Sequence, residues 1–302
     1  MDRHILVVGS LNMDHVVTAD HLPVQGETII EGQYHIYPGG KGANQAVAAV
    51  RMGGKVKMLG RVGNDAYGRQ LITGLSSAGV NTRYIGTDET LATGVAVITV
   101  DQKGQNTIVV ASGANMALKE TDITDEPDLF NGVGVMVAQL EIPVPNVKAA
   151  FRVAKEREAI TVLNPAPARS LSKELFPLVD YITPNRLELQ MLTGANDTQA
   201  GISRLLALGV GTVIVTLGEK GALLANRQKQ SHIPAFTVDA VDTVAAGDAF
   251  TGAFCVGLAE GLSPDIAIRL ANAAAAISVT RNGAQPSMPS RDEVEEFLAQ
   301  NS

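Results

Sequence analysis

Four apolar residues are followed directly by a polar loop in the stretch ILVVGSLNMD, residues 5–14. Short Val/Ile/Leu runs of this kind recur along the chain and alternate with Ala-rich segments. The predicted buried strands are Ile5–Val8, Val56–Leu59, Val133–Val137, Thr161–Leu163, Tyr181–Thr183 and Thr212–Thr216. The predicted helices are Ala43–Met52, Ala66–Ala78, Val147–Lys155, Leu187–Leu192, Ile202–Leu208, Ala249–Glu260, Pro264–Val279 and Asp292–Ala299. This alternation is typical of βαβ units and predicts an α/β fold with a mostly parallel central sheet.

A second group of predicted strands has few helical residues between its members. These strands are Val16–Thr18, Glu27–Tyr37, Val95–Val100 and Thr107–Val110. We expect them to form a small antiparallel sheet, with a hairpin turn at residues 102–105. Two segments, about 14–38 and 94–111, would thus form a lid within a single domain of 302 residues. A lid that closes over a substrate would exclude water from the reacting atoms.

The composition excludes several classes of protein. Hydrophobic residues make up 45% and charged residues 18%, which is incompatible with intrinsic disorder. The net charge of −7 lacks the basic footprint of a nucleic-acid or membrane binder. The single cysteine, Cys255, excludes an internal disulfide, and neither a signal peptide nor a membrane-spanning run is recognisable. We therefore expect a cytoplasmic protein that does not bind nucleic acid or membrane.

The segment PGGKGANQA, residues 38–46, places three glycines directly before an Ala-rich helix. Such a backbone can approach a ligand closely, and the helix start supplies free N–H groups. Gly42 stands where a Walker A loop needs Ser or Thr, and Gln45 replaces the last glycine of the dinucleotide fingerprint. A glycine turn without a ligand remains the alternative. Asn12 and Asp14 suit sugar hydroxyls, although taken alone they favour a turn that satisfies its own backbone.

The segment DTVAAGDAFTGA, residues 242–253, is the strongest candidate for chemistry. Its small residues precede a helix, so Ala245 to Asp248 can present N–H groups to an anion. The Asp248 carboxylate could accept a proton from an attacking hydroxyl, or it could simply cap the helix. Asp242 could fix the loop or bind a cation.

Three further segments leave two interpretations open. Asn185 and Glu188 lie three residues apart at a helix start, where they could position the water shell of Mg²⁺ or form an ordinary capping box. Glu141 is either a surface acid at a strand end or a ligand contact. The turn at residues 216–221 could bind nucleotide phosphates or be a plain hairpin.

These segments, in this order, resemble the ribokinase-like (PfkB) carbohydrate kinases, and the resemblance covers the chain from Gly9 to Pro289. Residues 39–52 look like the first family signature and residues 242–253 like the second. The resemblance implies a three-layer α/β/α sandwich with a small β-sheet lid. It implies ATP-dependent phosphorylation of a sugar 5-hydroxyl, and it is strongest to the members that use D-ribose. Mg²⁺, a monovalent cation activator (usually K⁺) and a homodimer formed through the lid are also implied.

The resemblance assigns a role to individual residues. Asp248 would be the base, and Ala245, Ala246 and Gly247 would form the anion hole. The residues implied to hold the sugar are Asn12, Asp14, Gly40, Lys41, Gly42, Ala43, Asn44, Glu141 and Asp248. Those implied to hold ATP are Asn185, Thr216, Leu217, Gly218, Glu219, Lys220, Gly221, Gly247, Asp248 and Asn272, with Glu188 near Mg²⁺. Those implied to surround K⁺, partly through backbone carbonyls, are Asp242, Val244, Ser278, Arg281, Gly283 and Ser287.

Other functions are weighed against this one. The same family phosphorylates 2-deoxyribose, fructose or tagatose, and nucleosides. Asn12 favours ribose, because its amide can bond a hydroxyl that a deoxy sugar lacks. A non-catalytic sugar sensor is disfavoured because the base and the anion hole are both present. A dehydrogenase and a Ser hydrolase are disfavoured because their fingerprints fail.

Overall fold

The computed structural model describes residues 3–301. The strands are β1 (His4–Val8), β2 (Asn12–Thr18), β3 (Gln33–Gly39), β4 (Val56–Gly63), β5 (Asn81–Asp88), β6 (Gly94–Val100), β7 (Asn106–Ala111), β8 (Val133–Ala138), β9 (Ile160–Leu163), β10 (Tyr181–Ile182), β11 (Thr212–Thr216), β12 (Ala222–Asn226) and β13 (Gln230–Ile233). The helices are α1 (Lys41–Arg51), α2 (Ala66–Ser77), α3 (Thr121–Thr124), α4 (Val144–Glu156), α5 (Arg186–Thr193), α6 (Thr198–Ala207), α7 (Ala246–Ala259), α8 (Pro264–Ser278) and α9 (Arg291–Gln300).

The central sheet has nine strands in the order β13-β12-β11-β10-β9-β8-β1-β4-β5. Its neighbouring strands are parallel except for the pairs β11–β12 and β12–β13, which are antiparallel. The apolar residues of β1 and β8 are buried on both faces, as a parallel sheet covered by helices requires.

Each face of the sheet packs against its own set of helices. Ile5 and Val7 belong to a core that includes residues of α1, α2, α7, α8 and α9. Leu6 and Val8 point to the opposite face and belong to a core that includes residues of α3, α4, α5 and α6. The alternation of side chains along β1 thus separates two helical layers, and the predicted α/β/α sandwich is confirmed.

The second sheet has four strands in the order β3-β2-β6-β7. The pairs β2–β3 and β6–β7 are antiparallel, but β2 and β6 run parallel with Asn12 opposite Gly94. The expectation of an antiparallel sheet is therefore wrong for its central pair. The reason is topological, because β2 and β6 each leave the central layer in the same direction.

The boundaries predicted from sequence differ from the structure in identifiable places. The strand expected at Glu27–Tyr37 begins only at Gln33. Within this segment Glu31 has a positive φ angle of 75°, which is incompatible with an extended strand. Strands β5, β12 and β13 were not predicted. The predicted helices all exist, and Ser290 caps α9 through a capping box with Glu293.

No helix within residues 3–301 is long and apolar enough to cross a bilayer.

Candidate active site

The predicted site residues lie at one edge of the central sheet, where the parallel strands end. Asn12 and Asp14 follow β1, Glu141 follows β8, and the segment from Thr183 to Glu188 follows β10. The first turns of α1 and α7 face the same edge. Ligands of open α/β sheets bind at this edge, since the loops there are free to diverge around a crevice.

Two glycines allow α1 to begin close to the loop that follows β1. Gly40 has a φ angle of 87°, a left-handed conformation that a side chain would strain. A Cβ atom on Gly42 would lie 2.6 Å from the backbone of Gly9 and Ser10. The backbones therefore touch, and the close approach predicted for residues 38–46 is made to the neighbouring loop.

Lys41 is the cation of the site and has several carboxylates around it. The pKa of Lys41 is raised by Asp248 first, and Glu141, Glu188 and Asp14 add to the effect against burial. The structure thus brings together five residues that lie far apart in the sequence. A fixed ammonium group among carboxylates can offset the charge of a phosphoryl group entering the crevice.

The Asp248 carboxylate lies in the first turn of α7 and is only 5% exposed. Its Oδ2 atom accepts a hydrogen bond from Asn44 Nδ2 at 3.1 Å, and Oδ1 accepts one from Gln45 Nε2 at 2.9 Å. The Oδ1 atom of Asn44 is buried and has no hydrogen-bond partner among the described residues. An unpaired buried acceptor beside a carboxylate is suited to a ligand hydroxyl.

The pKa of Asp14 is raised from 3.8 to about 7. Burial is the main cause, the charges of Glu141 and Asp248 add to it, and Lys41 opposes it. A Cβ atom on Gly39 would lie 2.0 Å from Asp14 Oδ2, so a larger residue at this position would displace the carboxyl. Near neutral pH Asp14 can therefore donate as well as accept a hydrogen bond.

Glu141 closes the site from the β8 side. Its Oε2 atom accepts hydrogen bonds from Ser10 Oγ at 2.5 Å and from the Lys41 N–H at 3.1 Å. The carboxylate thereby joins the loop after β1 to the first residue of α1.

Asn12 is 2% exposed and held by Asn115, which lies in the short helical turn Gly113–Ala117. Asn115 Nδ2 donates to Asn12 Oδ1 at 2.8 Å and to the Leu11 carbonyl at 3.0 Å, and its Oδ1 accepts from the Leu11 N–H at 2.9 Å. Because the Asn12 oxygen faces Asn115, its amide nitrogen is the group presented as a donor.

The start of α7 has an unusual backbone. Ala245 adopts the left-handed conformation, with φ 61° and ψ 9°, although it is not glycine. A Cβ atom on Gly247 would meet no atom within 4 Å, so open space lies in front of this turn. The Asp248 N–H donates to the Ala245 carbonyl at 3.0 Å. It is therefore engaged within the turn, unlike the free donor that the sequence suggested.

Asn185 and Glu188 form the capping box that was the structural alternative. The Asn185 N–H donates to Glu188 Oε2 and the Glu188 N–H donates to Asn185 Oδ1, both at 2.8 Å. Asn185 also forms a parallel bridge with Thr216, so the two segments predicted for the nucleotide lie side by side. The pKa of Glu188 is raised mainly by burial, and Asp248 adds to this effect.

Asn272 lies on α8, and its amide is engaged with the protein. Its Nδ2 atom donates to the carbonyls of Pro234 at 3.0 Å and Ile233 at 3.3 Å. A direct contact with a nucleotide would therefore have to use the oxygen of this side chain.

Cys255 lies towards the end of α7 and is fully buried, and burial raises the pKa of its thiol.

The residues predicted for a monovalent cation meet where the C-terminus of α8 approaches the loop before α7. Asp242 accepts hydrogen bonds from the N–H groups of Val244 and Gly283, both at 2.9 Å. The hydroxyls of Ser278 and Ser287 lie 2.8 Å apart. The Arg281 guanidinium forms an ion pair with Glu293, which leaves only its backbone for the site. The atoms that could coordinate a cation in this region are oxygen atoms, which suit a hard cation.

The profile of the family described as pfkB family carbohydrate kinase matches residues 2–291. The chain belongs to this family. It is 42% identical to a ribokinase of Haemophilus influenzae, over 99% of both chains. It is 38% identical to a deoxyribokinase of Salmonella typhimurium, over 98% of this chain and 99% of that one. The solved structure of Arabidopsis thaliana ribokinase complexed with ribose and ATP is 34% identical, covers 99% of both chains and superposes with a TM-score of 0.91.

Sequence reasoning did not single out several residues that shape this pfkB-family site. Gln45 and Ser10 lie inside the segments 38–46 and 5–14 but were assigned no role, and Asn164 was not considered. Gln139 and Asn115 carried no local signal, because each acts on a residue about a hundred positions away in the chain. Buried amides of this kind are recognised only when the fold shows what they face.

Proposed function

We propose that this chain transfers the terminal phosphoryl group of ATP to the 5-hydroxyl of D-ribose, giving D-ribose 5-phosphate and ADP. Asp248 carries the proposal, since it is a buried carboxylate at a helix start beside Lys41 and open space. The names of the full-length relatives, together with the bound ribose and ATP named for the Arabidopsis structure, support the sugar and the nucleotide.

In the proposed step, Asp248 accepts the proton of the 5-hydroxyl as the sugar oxygen bonds to the phosphorus and the bond to ADP breaks. The carboxylate is suited to this because both its hydrogen bonds come from amide donors, Asn44 and Gln45. Ala245, Ala246 and Gly247 form the anion hole of the proposal at the positive end of α7. Lys41 offsets the negative charge that enters with the phosphate.

The sugar lies in this proposal between Asn12 and Asp14 on one side and Asn44 and Glu141 on the other. Asn12 donates to a sugar hydroxyl through its amide, and the unpaired Asn44 Oδ1 accepts from one. Backbone groups also reach the proposed sugar site, from Gly40, Lys41, Gly42 and Ala43. The buried Asn44 Oδ1 atom then gains a hydrogen-bond partner when a hydroxylated ligand is bound.

The nucleotide lies along the paired segments at Asn185 and residues 216–221, with Asn272 behind them. Mg²⁺ fits beside Glu188, because this ion keeps several waters and takes one or two carboxylates together with phosphate oxygens. When bound, it would supply charge neutralisation on the phosphates. K⁺ fits the oxygen donors of Asp242, Val244, Ser278, Arg281, Gly283 and Ser287.

The small sheet is proposed to act as a lid and as a dimer contact. Val97 and Val109 are paired across β6 and β7, and their side chains are 52% and 71% exposed. An exposed apolar sheet face is a typical protein contact, and a second copy of the chain would cover it. The proposal further describes the protein as a single-domain, cytoplasmic homodimer. It binds sugar and ATP but neither nucleic acid nor membrane.

A second candidate is a kinase for 2-deoxy-D-ribose, because a deoxyribokinase is among the relatives at 38% identity. The presence of an amide at Asn12 favours ribose. A deoxy sugar would leave a buried donor without a partner, at a cost of about 1–3 kcal/mol.

The test is ADP release with ATP, Mg²⁺ and K⁺ against D-ribose, 2-deoxy-D-ribose, D-fructose, D-tagatose and adenosine. We expect D-ribose to be preferred, and Asp248→Asn to lower kcat about 10²- to 10⁴-fold while ribose still binds. Preference for another sugar would overturn the assignment of Asn12. Wild-type turnover by a folded Asp248→Asn variant would overturn the assignment of the base.

A further inference from the structure

The side chain of Gln45 is completely buried and contacts Asp248 directly. Gln45 Nε2 donates to Asp248 Oδ1 at 2.9 Å, while Asn44 holds Oδ2. Each oxygen of the carboxylate is thus held by one amide donor from the first turns of α1. Two donors on two oxygens define the rotation of a carboxylate about its Cβ–Cγ bond, which one donor would not do.

Gln45 is in turn held by two other buried amides. Its Nε2 atom also donates to Asn164 Oδ1 at 3.0 Å, and its Oε1 atom accepts from Gln139 Nε2 at 2.6 Å. Asn164 Nδ2 donates to the Thr183 carbonyl at 3.2 Å. We call Gln139, Gln45, Asn164 and Thr183 the amide chain.

The carboxylate determines the direction of every bond in the amide chain. An ionised carboxylate only accepts hydrogen bonds, so Gln45 must turn its NH₂ group to Asp248 and its oxygen to Gln139. Gln139 must then present its own NH₂ group to that oxygen. No reversed arrangement of these amides keeps all the bonds.

The amide chain also connects Asp248 to the central sheet. Gln139 follows β8, Asn164 follows β9 and Thr183 follows β10. These three strands are neighbours in the central sheet. The orientation of a side chain on α7 is therefore set from the sheet edge that carries the ligand crevice.

We infer that Gln45 is a positioning residue, which orients the Asp248 carboxylate for proton transfer from the sugar hydroxyl through the amide chain. This inference rests on the proposed role of Asp248 as the base. Both hydrogens of the Gln45 amide are used by Asp248 and Asn164, and its oxygen accepts from Gln139, so we assign it no direct contact with the sugar or ATP. Its loss should therefore change the rate of the chemical step more than the affinity for substrates.

The test is the substitution Gln45→Met, which keeps the length of the side chain and removes both the NH₂ group and the oxygen of its amide. We expect kcat to fall about 10- to 100-fold, the effect of a misplaced catalytic group, with the KM for ribose changed less than about threefold. Asn146→Leu is the matched control. Asn146 is an equally buried amide on α4 that donates to the Leu118 carbonyl, away from Asp248, so this variant should lose stability and keep kcat.

A double-mutant cycle separates positioning from general damage to the fold. In the Asp248→Asn background no carboxylate remains to be oriented, so adding Gln45→Met should change the residual slow turnover less than about threefold. An equal loss of kcat in both backgrounds, or an unchanged kcat in Gln45→Met alone, would overturn the inference. Wild-type turnover in Asp248→Asn alone would instead refute the base on which the inference rests.

Asn164→Ser provides a second route if Gln45→Met does not fold. It removes one support of Gln45 without altering Gln45 or Asp248. A smaller loss of kcat in the same direction, absent in the Asp248→Asn background, is expected. A loss that appears in KM alone would contradict the positioning role.

Discussion

Replacing Asp14 with Asn should change how the stability of the protein depends on pH. The pKa of Asp14 is raised from 3.8 to about 7 in the folded protein, mainly by burial. The charged carboxylate is therefore less favourable in the folded than in the unfolded chain. The free energy of unfolding therefore falls as the pH rises from about 3.8 to about 7, and it does not fall further above pH 7. Asparagine cannot ionise, so the Asp14→Asn variant escapes this loss.

The magnitude follows from the width of the window. A difference of about three pH units, at 1.36 kcal/mol per unit, corresponds to about 4 kcal/mol as an upper bound. Roughly 3 kcal/mol of this accrues between pH 5 and pH 9, since the unfolded carboxyl is already ionised at pH 5. Partial exposure of Asp14 and screening by salt reduce the expected change to about 1.5 kcal/mol.

The assay is urea-induced unfolding of the wild type and Asp14→Asn at pH 5 and pH 9. The free energy of unfolding of the variant, relative to wild type, should increase by about 1.5 kcal/mol between the two pH values. Asp239→Asn, at an exposed position, is the control and should show no such increase. A difference between Asp14→Asn and wild type that stays constant with pH, within about 0.5 kcal/mol, would refute the reasoning.

Three further variants test the candidate site and the small sheet. Ala245→Gly should raise the free energy of unfolding by about 1 kcal/mol, because glycine adopts the left-handed conformation of this residue without strain; a less stable variant in urea unfolding would contradict this. Asn115→Ala should raise the KM for ribose about tenfold, because Asn12 loses the partner that orients it; an unchanged KM in steady-state kinetics would exclude this role. Val97→Asp combined with Val109→Asp should convert the proposed dimer to a monomer in analytical ultracentrifugation, and a stable dimer of the variant would show that this face is not the contact.

Features that depend on neighbouring residues could be predicted from the sequence. Eight of the helices, and the parallel strands other than β5, follow from apolar runs and their spacing. The two signature segments each bring their glycines and polar side chains within a few residues, so the loops of the candidate site could be located. The start of the strand predicted at Glu27–Tyr37 was wrong because local propensity does not reveal the positive φ angle at Glu31.

Contacts between distant segments required the tertiary structure. The sequence could not show that β2 and β6 run parallel, because their pairing depends on how both strands leave the central layer. It could not show that Asn44 and Gln45 hold a carboxylate about two hundred residues away. The raised pKa of Asp14 likewise arises from burial and from charges of Glu141 and Asp248 that only folding brings near. Chain-local chemistry thus located the loops of the candidate site, whereas the orientation and charge of their side chains depend on three-dimensional proximity, since electrostatic and hydrogen-bond energies fall off with distance in space rather than along the chain.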